Sequence, residues 1–182
     1  MTTLYLELRG NPDESLPQKE QTDCDWLDVK TDINSLLSVA CERLEETGLF
    51  VFEMSGFGRE TWPVEVYPDL ACVLEQLSEA IDAIHQERYP FNLELYEQGI
   101  EKTITFVKEN DEGLIKAKCH DFWPQEGCDR SSSWSPEPDT IVILKENLLS
   151  QLLFLKFSFI QAVQKKCSDL AAEDLFIEWC KD

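Results

Sequence analysis

Apolar and polar residues alternate in short runs at the start and in the middle of the chain, while three longer segments repeat apolar residues at helical spacing. Alternation sends successive side chains to opposite faces of a strand, and recurrence at three and four residues builds one stripe on a helix. Thr3 to Leu8 accordingly reads as a strand and Trp26 to Val29 as a second. Thr31 or Asp32 then caps a helix whose apolar residues are Ile33, Leu36, Leu37, Ala40 and Leu44, and Gly48 ends it. LFVFEMSGFG follows as a strand, and WPVEVY, where Val64 and Val66 alternate with Glu65 and Tyr67, is expected to pair with it.

From Pro68 to about Arg88 the residues Leu70, Val73, Leu74, Leu77, Ile81 and Ile84 fall in one narrow stripe, with Glu75, Glu79, Asp82 and Gln86 opposite. YPFNLELYEQG, KTITFVKEN and GLIKAKCHDF predict a three-stranded antiparallel meander, with NDEG as hairpin turn chemistry. TIVIL fits a strand or the start of a helix, and a long helix follows from about Lys145 to Lys166. Leu148, Leu149, Leu152, Leu153, Leu155, Phe159, Ile160 and Val163 cover so much of its circumference that burial on most sides is expected. A final short helix spans Leu170 to Trp179, and residues 9–25 and 123–139 read as irregular loops.

The strands mostly follow one another through short turns, which predicts an α+β fold: one domain over residues 1–182. Its mainly antiparallel sheet has about five to seven strands, with three or four helices on one face and a long buried C-terminal helix. Some parallel pairing stays open, because the first two helices each lie between strands.

Composition adds the partner class. The chain has 36 Asp and Glu against 16 Lys and Arg, a net charge of -20, and residues 51 to 101 hold 11 acids against Arg59 and Arg88. A field of that sign repels nucleic acid, anionic membranes and acidic substrates and attracts basic surfaces. With 43% hydrophobic residues the chain is too apolar for a disordered acidic tail. Seven cysteines at irregular spacings, and a start without a basic and apolar leader, predict free thiols in the cytoplasm. The longest apolar stretch, Leu148 to Ile160, is too short and too interrupted to span a bilayer.

Reactive constellations are sparse. SGFGRE lacks the Lys-Ser/Thr ending of a phosphate loop and reads as a turn between strands. Cys119, His120 and Cys128 are metal-ligand types, but their spacing matches no structural zinc pattern, and neighbours on a strand face opposite ways. Cys119 with His85 makes a nucleophile pair only if the fold joins them. No catalytic residue, metal or cofactor is therefore assigned.

The acidic helix face is more informative. Like charges at Glu75, Glu79 and Asp82 repel and lack a compensating cation on that face, which a basic partner would supply. Tyr67, Glu94 and Tyr96, together with Glu65, complete a candidate partner-binding surface, because Leu93 and Leu95 take the alternate, buried positions. Phe57 and Trp62 are assigned to the core.

In its size, acidity, α+β pattern and lack of catalytic motifs, the whole chain resembles bacterial toxin-immunity proteins. The resemblance implies a cytosolic inhibitor that covers the active site of a basic toxin domain, such as a nuclease, without binding nucleic acid or membrane itself. Two other readings stay open: a nucleic-acid mimic that blocks a DNA- or RNA-binding protein, and a small enzyme or ligand-binding regulator with a pocket near Cys119 and His120. Monomer and homodimer are both compatible with the sequence.

Overall fold

A computed structural model describes residues 3–10, 32–97, 100–110, 113–122 and 134–181. Strand β1 (Tyr5–Gly10) pairs antiparallel with β2 (Phe50–Ser55), and the helix between them, α1 (Ile33–Thr47), is bounded as its sequence requires. The Asp32 carboxylate accepts from the Ser35 amide at 2.9 Å and from the Ser35 hydroxyl at 2.6 Å, a cap worth ~1 kcal/mol. Gly48 closes the other end at φ 64°, where a side chain would be strained.

After β2 the chain turns tightly through Gly56 to Arg59, held by mutual backbone bonds of 2.9 and 3.0 Å. Gly58, at φ 80°, lies so close to the Glu137 backbone that a Cβ there would stand 1.7 Å from the Glu137 carbonyl oxygen. WPVEVY is not a strand. Pro63 has no amide proton, and the amides of Glu65 and Val66 donate to the Asp69 and Glu45 carboxylates at 2.9 and 3.0 Å instead of to a ladder. A wide turn over Val66–Leu70 then leads into α2 (Ala71–His85).

The predicted meander is present as β3 (Phe91–Leu95), β4 (Lys102–Lys108) and β5 (Leu114–Asp121), and TIVIL adds β6 (Thr140–Leu144) in the order β3-β4-β5-β6. All pairings among described residues are antiparallel. The architecture is α+β, but the strands among the described residues divide into separate sheets of two and four, so neither reaches the expected count. The expected strand at Trp26 to Val29, the NDEG turn centre and most of the 9–25 and 123–139 loops lie outside the described residues.

Helix α3 (Lys145–Lys166) occupies the predicted range, followed by the short helices α4 (Ser168–Ala171) and α5 (Asp174–Trp179), giving five helices among the described residues rather than three or four. Burial of α3 on most sides is corrected: Leu148, Leu152, Leu155, Phe159 and Val163 are buried, whereas Leu153 is exposed along with Phe154 and Phe157. Counting apolar residues overstates burial when some of them sit on the face that no neighbouring element covers.

One hydrophobic cluster joins both sheets to α1, α2 and α3. Helix α1 packs on α2 and on the turn before it, and α3 packs on β1 and α2. The four-stranded sheet buries Leu93, Leu95, Ile104, Phe106, Ile115, Ala117, Cys119, Ile141 and Ile143 and turns Lys116, Lys118, His120 and Val142 outward. Lys102 is fully buried on the inner side, its ammonium bonded to Asp121 and to the Trp134 carbonyl at 2.8 Å. Among the described residues no helix is long and apolar enough to cross a membrane.

Candidate protein-interaction surface

Helix α2 buries Val73, Leu74, Leu77, Ile81 and Ile84 as its stripe requires, each contributing about 1.5–3 kcal/mol through burial. Its position against the sheet is set by Gln76. The side-chain amide of Gln76 donates to the Glu94 carbonyl at 2.8 Å and accepts from the Glu94 amide at 2.9 Å, filling the edge of β3 as another strand would. A third bond, donated to the Cys72 carbonyl at 2.7 Å, orients it.

This docking opens a groove of about 460 Å³ between α2 and the edge of β3, whose lining includes Gln76, Glu79, Arg88, Phe91, Glu94 and Tyr96. Tyr96 is 38% exposed. Its hydroxyl donates to the Glu75 carboxylate at 2.7 Å, and its ring packs 6.3 Å from that of Phe122, so it stands at the rim in one orientation. Burial, and next the bond to Glu75, push the phenol far above its ordinary range.

Of the seven candidate residues, the fold thus joins four. Glu79, Glu94 and Tyr96 share the groove, and Glu75 holds Tyr96. Asp82 is exposed on α2 outside the groove lining, and Glu65 and Tyr67 are exposed on the turn before α2. Glu79, Asp82 and Glu94 pair with no cation among the described residues. Phe57 and Trp62 are buried, as assigned.

A feature that the sequence pattern did not single out is Asp69, 5% exposed on the turn before α2. Burial pushes its carboxyl up to about 6, and the negative charges of Glu65, Glu97 and Glu45 add to the effect, against a lowering bond from the Glu65 amide. Its signal in the sequence is only the Pro68-Asp69 pair where the helix was predicted to start.

The Cys119 and His120 region has a different character. Cys119 is buried, and burial pushes its thiol up to about 12, so it carries no nucleophilic thiolate at neutral pH. His120 points to the opposite, exposed face, where Nε2 lies 3.1 Å from the Thr105 hydroxyl and Nδ1 lies 3.0 Å from the Asp121 carbonyl oxygen. Cys128 lies outside the described residues, and among those described no three His, Cys, Asp or Glu side chains are grouped to hold a metal ion. SGFGRE is a turn, but it leads into an irregular segment rather than into a paired strand. Compared with known proteins, the chain matches no protein-family model, no curated protein and no solved structure.

Proposed function

We propose that this protein is an inhibitor of the immunity type, which binds a basic protein partner through the surface of α2 and the β3 edge and acts in the cytoplasm. The observation that carries the reading is Tyr96: an exposed aromatic, fixed by Glu75, at the rim of a groove that Arg88 also lines but where Glu79 and Glu94 form no ion pair among the described residues. A rigid tyrosine gives contact area at low entropic cost, and carboxylates around it select and steer lysine- and arginine-rich surfaces. The partner class that fits is a toxin domain with a positive cleft. Asp82, Glu65 and Tyr67 extend the acidic field around the groove instead of lining it.

The test is association of the purified chain with the product of its neighbouring gene, followed by stopped-flow at varied salt. The expected result is a stoichiometric complex whose association rate falls with salt, drops about tenfold or more in the Glu79→Lys/Asp82→Lys protein, and whose dissociation speeds up in Tyr96→Ala. Rates and salt dependence unchanged by the two charge reversals would refute this surface.

A further inference from the structure

Helix α2 leads into β3 through residues 86–90, and Gln76 meets Glu94, so the two elements lie side by side in opposite directions. One helical turn beyond Gln76, Ala80 stands about 6 Å further along the axis, and Asn92 stands about 6.7 Å back along the strand from Glu94. Ala80 therefore faces Asn92. Where Gln76 reaches the strand with an amide, Ala80 offers only a methyl, and Ala83 does the same one turn on. These short side chains leave the groove of about 460 Å³ between the two elements.

The backbone inside the groove is open. Amides and carbonyls of an antiparallel strand alternate in direction, so residues two apart offer theirs to the same side. The Glu94 amide and carbonyl point away from β4, toward Gln76, and those of Asn92 accordingly point away from β4 into the space opposite Ala80. Among the described residues nothing bonds to them on that side. An open strand edge of this kind is where a further extended chain pairs. The groove is also bipolar: Glu79 and Glu94 lie toward its Gln76 end, and Arg88 lines it at the chain reversal beside Pro90. None of the three forms an ion pair among the described residues.

We propose that this groove receives an extended three-residue segment of the protein partner, in the order basic residue, any residue, acidic residue. The middle residue exchanges both backbone hydrogen bonds with Asn92, which a single pair of residues does only when the chains run antiparallel. A segment antiparallel to β3 enters at the Glu94 end and leaves at the Pro90 end. Its first residue therefore meets Glu79 and Glu94, where a guanidinium fits best, and its last meets Arg88. From Glu94 to Pro90 a strand rises about 13 Å, room for about three to four residues. Gln76 already fills the next bonding position at Glu94, so the added strand stops after one bridge. The proposal rests on the reading of this surface as the site for a basic partner and adds to it a direction and a register: a uniformly basic segment would be turned away by Arg88.

Titration of the isotope-labelled full chain, followed by NMR, with acetyl-Arg-Ala-Glu-amide and in parallel with acetyl-Glu-Ala-Arg-amide tests this. The two peptides share composition and net charge, so the attraction of the whole -20 chain is the same for both. The expected result is a saturable shift of the Gln76 side-chain amide and the Leu93 and Glu94 backbone amides by the first peptide, with a Kd on the order of 1 mM. The reversed peptide should bind about fivefold or more weakly, and Arg88→Ala should erase most of that preference. Asn92→Pro removes the outward amide without taking a bond from the β3-β4 ladder, and should weaken the first peptide about threefold or more. If the proline variant loses its circular-dichroism spectrum, the peptide order and Arg88→Ala, at an exposed position, decide the question.

Equal affinity for the two orders overturns the inference, as does a preference for the reversed peptide, which would mean pairing parallel to β3. Shifts spread over the exposed carboxylates of α1 without saturation at the groove also overturn it. The partner reading is judged separately. A groove that prefers the first peptide in a chain that forms no complex with its neighbouring gene's product would sink that reading alone. A stoichiometric complex without the peptide preference would place the partner on the acidic surface outside the groove and sink only this inference.

Discussion

Asp69 is ionised at a cost in this fold. Its carboxyl is raised from 3.8 to about 6, a displacement that corresponds to on the order of 3 kcal/mol against the charged form. A carboxyl raised on folding holds its proton longer in the native state, so the penalty is absent below about pH 4, grows between 4 and 6, and is complete above 6. Asp69→Asn retains an oxygen for the Glu65 amide and removes the charge. Urea unfolding should therefore find that variant more stable than the natural chain at pH 8 by about 1–3 kcal/mol, with the difference vanishing near pH 4. A constant difference across that range would mean that Asp69 ionises freely. The residue scale was also the least legible in the sequence. Asp69 lies just ahead of the apolar stripe of α2, and Lys102 shares the alternating phase of Ile104 and Phe106, so its place on the inner face could be read, but not the Asp121 and Trp134 partners that accept its charge there. Tyr96 and Glu94, by contrast, were readable, because strict alternation with Leu93 and Leu95 decides which side chains face out.

Helix α2 and strand β3 meet through a side chain that performs the work of a strand. Without Gln76 the Glu94 amide and carbonyl lose their partners at the edge of the sheet, and the groove loses one of its lining side chains. Gln76→Ala should cost about 1–3 kcal/mol in urea unfolding. It should also speed hydrogen exchange at the Glu94 amide, and unchanged protection there would show that the bond contributes nothing. Elements at this scale were largely legible: α1 with its Asp32 and Gly48 ends, α2, the meander and the range of α3 all follow from periodicity and capping. The division into two sheets was not, because periodicity shows which residues form strands but not which strands pair. WPVEVY illustrates the limit. Its alternation of Val and Glu satisfies the strand pattern, yet the Asp69 and Glu45 carboxylates compete successfully for its amides.

The whole molecule is held together against its own charge. Exposed carboxylates stand on α1 (Glu42, Glu45, Glu46) and α2 (Glu79, Asp82), and ion pairs such as Glu87 with Lys108 at 3.2 Å and Lys145 at 3.0 Å offset only part of the repulsion. Raising NaCl from ~0.02 to ~0.2 M should therefore raise Tm by about 3–5 °C. A Tm that falls with salt would mean that the ion pairs outweigh the repulsion. At this scale the sign of the field could be read from the acid count of residues 51–101, while the exposure of Leu153, Phe154 and Phe157 on α3 could not, because composition does not show which face of a helix a neighbour covers. The contact between Gly58 and Glu137 bears on the order of assembly. The turn that follows β2 is closed by a backbone from the last third of the chain, and β1 packs beneath α3, which lies later still. During synthesis the first strands must therefore wait, with one face uncovered, until the chain beyond Lys145 has been made, so the interval before α3 emerges is when they are most exposed to aggregation and to chaperones.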